Sequence, residues 1–234
     1  MTTLFHHPLC PFSRKIRLLL GEKKFSVELV EERPWEHRLD FLMINPSGEV
    51  PVLVGDGVDQ ADGTHNIVLA GHYPISEWLE ENSDGVGLLP ESSLARAEVR
   101  RVMSWFDDKF HSEVGRLIVY EKVDRRFMGA HDGGGGPDME TVRAGLHNLK
   151  LHLSYMDYLL EHRDWLAGDE LTMADFTAAA HLSCLDYTGD IVWKNWESIR
   201  DWYARLKSRP SFRPLLADHL PGLRPPRHYV DLDF

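Results

Sequence analysis

The first third of the chain combines short strand patterns with helical ones. Apolar residues alternate with polar ones, or run together between turn residues, at positions 3–7, 25–30, 50–54 and 66–69. Helical spacing follows the first two of these strands, and a third helix is predicted over residues 75–81, with Pro74 in its first turn. A turn rich in aspartate and glycine joins the last two strands into a hairpin. The predicted order of elements is therefore β-α-β-α-β-β-α.

From Leu94 onward the spacing predicts helices alone. One apolar stripe predicts a long helix that continues past Gly115 to Phe127; it consists of Val99, Val102, Met103, Phe106 and Phe110. A run of glycines at 133–136 interrupts this pattern before a second long helix. Thr172 and Asp175 then form a capping box at the start of another helix. The three prolines within residues 221–227 favour an extended backbone near the end of the chain.

Composition and charge narrow the class of protein. A length of 234 residues with 43% hydrophobic residues predicts two modest globular domains. The formal net charge of −11 argues against a nucleic-acid or anionic-membrane partner. Two cysteines are too few for a disulfide framework, residues 1–7 lack signal-peptide features, and no apolar run approaches the ~20 residues that span a bilayer. We therefore expect a cytoplasmic protein with no membrane insertion.

Three segments resemble the signatures of cytosolic glutathione transferases, in the order and spacing of that family: residues 12–17, 45–53 and 165–176. The resemblance covers nearly the whole chain. It implies a thioredoxin-like α/β domain over residues 1–84, an all-helical domain over 92–220, an extended tail over 221–234 and a homodimer. In that family the proline that matches Pro51 is cis, and the backbone at Val50 pairs with the cysteinyl part of glutathione.

The segment after the first strand carries the candidate chemistry. Cys10 stands just before a helix N-terminus, where the helix dipole lowers the pKa of a thiol. The Cys-Pro-Phe element resembles that of omega-type transferases and glutaredoxins, which implies Cys10 as a nucleophile or Ser13 as a hydroxyl that polarises a bound thiol. The alternative is that Cys10 is a small apolar residue in a tight turn, and the motif alone leaves both interpretations open.

A second position argues against transferase chemistry. Family members that hold glutathione carry an acidic residue and a serine at the start of the third helix, where they receive the γ-glutamyl group. Gly71 and His72 occupy these places here. Loss of two charge-assisted hydrogen bonds, each worth ~1.5–3 kcal/mol, would weaken glutathione binding by roughly 10²–10⁴. We therefore expect no cofactor and no metal, with Val50, Pro51 and His72 as the contacts if glutathione does bind.

Five features resemble one branch of the superfamily, the bacterial FtsZ-localised proteins of cell division: the turn at Cys10, the Gly71-His72 replacement, and the segments 105–110, 119–123 and 229–234. That resemblance implies a non-catalytic dimer at the division site that binds FtsZ and curves or bundles its filaments. The tail and the helix after Gly115 are the expected contacts: Arg116, Tyr120, Glu121, Tyr229, Asp231, Leu232, Asp233 and Phe234. The alternating tail residues suit β-augmentation of a partner or insertion into its pockets. A tail folded back on its own domain, and a plain surface ion-pair face at Arg116 and Glu121, are the competing interpretations.

Two other functions stay open. The first is a glutathione-dependent thiol transferase or isomerase that uses Cys10 or Ser13. The second is a non-catalytic carrier of a ligand in the cleft between the two domains.

Overall fold

A four-stranded mixed sheet organises the first domain. The computed structural model describes residues 2–56, 66–83 and 85–232. The strands are β1 Thr3–His6, β2 Glu28–Glu31, β3 Val52–Asp56 and β4 Asn66–Ala70, in the spatial order β2-β1-β3-β4. β1 pairs parallel with β2 and antiparallel with β3, which pairs antiparallel with β4. The predicted turn between β3 and β4 lies outside the described residues.

Three helices complete this domain: α1 Pro11–Glu22, α2 Leu39–Ile44 and α3 His72–Asn82. The predicted element order is confirmed, with two local corrections. β2 starts at Glu28 because the preceding segment is not in the ladder, and Phe25 packs edge-on against Trp78 at 5.6 Å between ring centroids. The helix expected after the second strand is split near Trp35, since a 3₁₀ turn at Pro34–Glu36 ends at His37, whose φ of 46° is left-handed, and α2 begins only at Leu39.

The second domain is helical, as predicted. Its helices are α4 Ser93–Ser104, α5 Arg116–Val119, α6 Arg125–Phe127, α7 Met139–Leu160, α8 Met173–Thr188, α9 Glu197–Lys207 and α10 Arg213–Leu216. Two π-helical segments, Trp105–Gly115 and Tyr120–Asp124, join α4, α5 and α6 into one continuous helix. Shorter 3₁₀ turns lie at Ala130–Asp132, Trp193–Asn195, Pro210–Phe212 and Arg227–Tyr229. Among the described residues, no helix combines the length and the apolar character needed to cross a membrane.

Helix α8 lies at the centre of the molecule. Its residues from Met173 to Tyr187 are buried, and it packs against α1 of the first domain. The capping box at its start is confirmed, because Asp175 accepts hydrogen bonds from the Thr172 backbone N–H and hydroxyl at 2.9 and 3.2 Å. Asp175 also accepts from the Leu166 N–H and the Trp202 indole at 2.9 and 3.0 Å. The Asp175 carboxylate therefore links α8 to Trp202 of α9 and to the loop that precedes α8.

Candidate functional site

A cavity of about 460 Å³ lies between the two domains. The first domain supplies the segment from His7 to Phe12 and two loops, around Trp35 and around Val50. The helical domain supplies the π-interrupted helix between His111 and Met128, together with His181 and Cys184 of α8. The cavity therefore lies where the sequence placed the candidate cysteine and the helix after Gly115.

Cys10 faces this cavity but is not an activated thiol. It is the residue before α1, as predicted, and its Sγ lies 3.9 Å from the Val50 carbonyl oxygen. Burial raises the pKa of Cys10 to about 11, and contacts with Ser13 and Phe12 offset only part of that rise. The expectation of a lowered pKa is wrong, because the loss of hydration outweighs the field of the helix N-terminus.

Ser13 is buried away from the cavity, and Pro51 follows a cis peptide bond. The Ser13 side chain is fully buried, and its Oγ accepts a hydrogen bond from the His7 N–H at 3.3 Å. The Val50–Pro51 peptide bond is cis, as the family resemblance implied, and Val50 lines the cavity. Ser13 is absent from the described lining, so its hydroxyl is not placed to polarise a ligand there.

His72 is held by a buried ion pair between the domains. Lys15 of α1 contacts Asp107 of the helical domain at 2.8 Å, and both approach His72 Nδ1, at 3.3 and 3.5 Å respectively. Burial lowers the pKa of His72 to about 4, with Asp107 opposing and Lys15 reinforcing this shift. Burial alone would raise the pKa of Asp107, but Lys15 and the neighbouring histidines hold it well below its usual range. His72 is thus a neutral imidazole whose Nδ1 accepts from the Lys15 ammonium.

Three histidines surround Phe12, and sequence analysis did not identify this cluster. The Phe12 ring stacks on His72 at 4.6 Å and meets His111 and His181 edge-on at 4.7 and 5.6 Å. His181 Nε2 lies 3.2 Å from Asp107 Oδ1. Burial lowers the pKa of all three imidazoles, to about 4 for His111. Asp107 and His111 are four residues apart, and each directly follows a phenylalanine of the apolar stripe, Phe106 or Phe110. This spacing was the signal in the sequence that could have identified part of the cluster.

The helix after Gly115 places two of its three candidate residues at the cavity. Arg116 and Tyr120 are exposed and line it. Glu121 is buried instead, and its Oε2 accepts from Arg125 at 2.5 Å and from the Asp138 N–H at 2.7 Å. Glu121 therefore fixes the start of α7 and forms an ion pair with Arg125, which agrees with the ion-pair interpretation except that its carboxylate is buried and not presented to a partner.

Asp124 is a cavity residue that sequence analysis missed. It follows Arg116 and Tyr120 at intervals of four residues and lines the same cavity. Within the described part of the chain, its carboxylate has no hydrogen bond or ion pair, and burial raises its pKa to about 7. The four-residue spacing was the signal that could have identified it.

The C-terminal segment folds back over both domains. Tyr229 is fully buried, and its hydroxyl accepts from Arg14 at 3.1 Å and donates to the Leu215 carbonyl at 2.7 Å. Arg14, in α1 of the first domain, also donates to Ser183 and Asp218, at 2.9 and 3.0 Å. The expectation that Tyr229 is presented to a partner on an extended tail is wrong, because this buried guanidinium binds its hydroxyl internally.

Residues 230–232, which follow Tyr229, are exposed. Val230 and Leu232 have 57% and 39% of their surface accessible, and Asp231 is exposed beside them. Asp233 and Phe234 lie outside the described residues. Asp231 and Leu232 are therefore accessible to a partner, and their role in binding stays a prediction, as does that of Asp233 and Phe234.

The site suits the cysteinyl part of glutathione but lacks the residues that hold its γ-glutamyl group. The cis peptide at Val50–Pro51 is the arrangement that the family uses for the cysteinyl part. At the start of α3, Gly71 offers no side chain and His72 is engaged by Lys15 and Asp107, so neither replaces the acid and serine that receive the γ-glutamyl group. Among the described residues, no group of three or more histidine, cysteine, aspartate or glutamate side chains is arranged to hold a metal ion.

Two family models match the chain in the same order as its domains. Residues 4–87 match the glutathione S-transferase N-terminal domain, and residues 122–210 match the glutathione S-transferase C-terminal domain. Glutathione S-transferase 2 of Saccharomyces cerevisiae is 30% identical over 224 residues, which cover 91% of this chain and 88% of the yeast protein.

A bacterial relative is more similar. FtsZ-localized protein A of Caulobacter vibrioides is 45% identical over 232 residues, or 99% of this chain and 98% of that protein. The solved structure of FzlA from C. crescentus has a TM-score of 0.91 and 45% identity, and covers 100% of this chain and 99% of the other. A glutathione S-transferase structure from Sinorhizobium meliloti also has a TM-score of 0.91, at 44% identity and with full coverage of both chains.

Proposed function

The chain belongs to the glutathione S-transferase superfamily, and we propose that it uses this fold without catalysis, as a cell-division protein that binds FtsZ and changes the curvature or bundling of its filaments. The observation that carries the proposal is the 45% identity to an FtsZ-localized protein over 99% of the chain. Under this proposal the protein is cytoplasmic, acts at the division site and pairs as a homodimer.

The chemistry of the cleft supports a non-catalytic role. The Cys10 thiol has a pKa raised to about 11, so little thiolate forms near neutral pH. His72 is engaged by Lys15 and Asp107 where glutathione-binding members hold the γ-glutamyl group. A protein with these two features has neither the activated thiol nor the anchor of a glutathione enzyme.

The exposed chain end is the proposed FtsZ contact. The buried Tyr229 fixes the position from which Asp231 and Leu232 emerge. These residues and the two that follow alternate acidic and apolar side chains, which can pair with basic groups and fill apolar pockets on a partner. Arg116 and Tyr120, at the cleft, are further proposed contacts.

Co-pelleting with FtsZ filaments tests the proposal. Wild type and Cys10→Ala should co-pellet equally, whereas deletion of residues 231–234 should abolish co-pelleting. The truncation removes no residue of the buried Arg14–Tyr229 contact, so its folding can be verified by an unchanged melting temperature. Full binding by the truncated protein would remove the tail from the proposed interface, and no binding by wild type would overturn the proposed function.

Calorimetric titration of glutathione tests the alternative in parallel. We expect no saturable heat, because the γ-glutamyl anchor is missing. Saturable binding in the micromolar to low-millimolar range, without co-pelleting, would instead support a thiol transferase and would direct kinetic work to Cys10.

A further inference from the structure

The π-interrupted helix presents three polar residues to the cavity between the domains. In a regular α-helix, residues four apart drift by about 40° around the axis, so a stripe of that spacing leaves one face. Here α5 is followed by the wider π-helical turn Tyr120–Asp124, which reverses the drift. Arg116, Tyr120 and Asp124 therefore all line the same cavity.

Asp124 is half-buried at the cavity, and its carboxylate has no partner among the described residues. Polar groups withdrawn from water are normally hydrogen-bonded, and even partial loss of hydration without compensation is costly for a carboxylate. No donor or cation in the described ranges 2–56, 66–83 and 85–232 contacts it, and burial raises its pKa to about 7. The half-buried carboxylate therefore has acceptor positions open at a cavity large enough for a small molecule.

We propose that this cavity binds a small organic amine, with the ammonium group paired to the Asp124 carboxylate and the apolar part of the amine against the cavity walls. A volume of about 460 Å³ lies within the range of roughly 300–1,000 Å³ that is typical of small-molecule sites. The proposed amine site shares Arg116 and Tyr120 with the proposed contact surface for FtsZ, but the group that pairs with the ammonium, Asp124, belongs to the amine site alone.

The other polar groups of the cavity favour a ligand that donates hydrogen bonds over an anionic ligand. His181 Nε2 faces the ionised Asp107 and donates to it, so Nδ1 of the neutral ring carries a lone pair; this buried Nδ1 has no partner among the described residues. Cys10 and Cys184 carry no negative charge near neutral pH, since burial raises their pKa values to about 11 and 12. An anion placed beside Asp124 would meet only a like charge.

The cavity walls are suited to the apolar part of an organic amine. Leu9, Phe12, Trp35, Val119 and Met128 line the cavity, and aromatic faces attract organic cations. Arg116 lies eight residues before Asp124, roughly 12 Å along the helix axis, so its exposed guanidinium does not occupy the ammonium position.

Matched pairs of probes on the full chain test this proposal. Titrations of 2-phenylethylamine and butylamine are compared with titrations of 2-phenylethanol and butanol, which have the same apolar bodies without the charge. We expect each amine to bind roughly 10- to 100-fold more tightly than its alcohol, the range that a hydrogen bond to a charged group supplies. If neither amine binds better than its alcohol, the proposal is wrong.

The isosteric variant Asp124→Asn provides the second arm. It should reduce amine affinity about 10-fold or more and leave alcohol affinity unchanged, while Glu113→Gln, at an exposed carboxylate outside the cavity lining, should change neither. Equal loss of amine and alcohol binding would indicate a collapsed cavity and contradict the pairing. If Asp124→Asn reduces FtsZ co-pelleting and neither amine binds, the carboxylate receives a basic side chain of a protein partner, and the small-amine proposal is overturned.

Discussion

Replacing Tyr229 with phenylalanine removes one hydroxyl group from a buried contact between the chain end and the first domain. The substitution keeps the ring, which packs edge-on against Tyr187 at 5.1 Å, so it opens no large cavity. The hydroxyl accepts from the Arg14 guanidinium at 3.1 Å and donates to the Leu215 carbonyl at 2.7 Å. Arg14 keeps its bonds to Asp218 and Ser183 after the change.

The expected loss follows from these bonds. The Leu215 carbonyl retains a bond from the Asp218 N–H at 3.2 Å, so it is not left without a partner. The loss is therefore dominated by the hydrogen bond to a charged group, and we expect the free energy of unfolding to fall by about 1.5–3 kcal/mol.

Urea denaturation at neutral pH measures this change. Tyr120→Phe is the matched control, because Tyr120 is 36% exposed, and it should lie within about 0.5 kcal/mol of wild type. Weaker FtsZ co-pelleting by Tyr229→Phe than by wild type would link the buried anchor to the proposed contact, whereas Tyr120→Phe serves as a control for stability only. If the two variants unfold at the same urea concentration, the view that Arg14 holds the chain end is refuted.

Three further predictions concern stability and reactivity. Asp175→Ala should lower the free energy of unfolding by at least about 3 kcal/mol in urea denaturation, because it removes a helix cap and leaves buried donors unpaired; a loss below about 1 kcal/mol would contradict the reasoning. Cys10 should react with iodoacetamide at pH 7.5 roughly 100-fold more slowly than an unburied cysteine, since its pKa rises from 9.0 to about 11, and a rate equal to that of a model thiol would show that the burial is not maintained. Burial lowers the pKa values of His72, His111 and His181, so their neutral forms stabilise the fold fully above the ordinary pKa of 6.5. This contribution is lost as the pH falls below 6.5, and for His72 and His111 the loss is complete only below a pKa of about 4. Denaturation at pH 7.5, 6 and 5 should show falling stability, and His111→Gln should reduce the slope by up to about 1.4 kcal/mol per pH unit; a flat profile would contradict the burial of these rings.

The order of elements could be predicted because local periodicity carries it. The apolar stripe from Val99 to Phe110 and the capping box at Thr172 each depend on residues within one or two turns of a helix. The split of the helix near Trp35 was harder to predict, since it depends on the left-handed backbone of His37. Histidine gives no strong signal for that conformation.

The candidate site was only partly predictable because long-range contacts decide its chemistry. The position of Cys10 before a helix is visible in sequence, but the burial that raises its pKa comes from residues distant along the chain, such as Phe41 and Val50. Tyr229 and Arg14 are 215 positions apart, and the alternation of the chain end gave no sign of their contact. Asp124 shares a visible spacing with Arg116 and Tyr120, whereas its lack of a partner is a property of the folded cavity alone.

The contact between Arg14 and Tyr229 also determines how the molecule transmits mechanical force. Arg14 is bonded within the first domain to the Pro8 carbonyl, across the domains to Ser183, and to the chain end through Tyr229. A force applied to the last residues would therefore reach α1 and α8 through the Arg14 guanidinium and α10 through the Leu215 carbonyl, which accepts from the Tyr229 hydroxyl. An anchor built in this way would pass tension from any partner bound at the chain end to both domains at once.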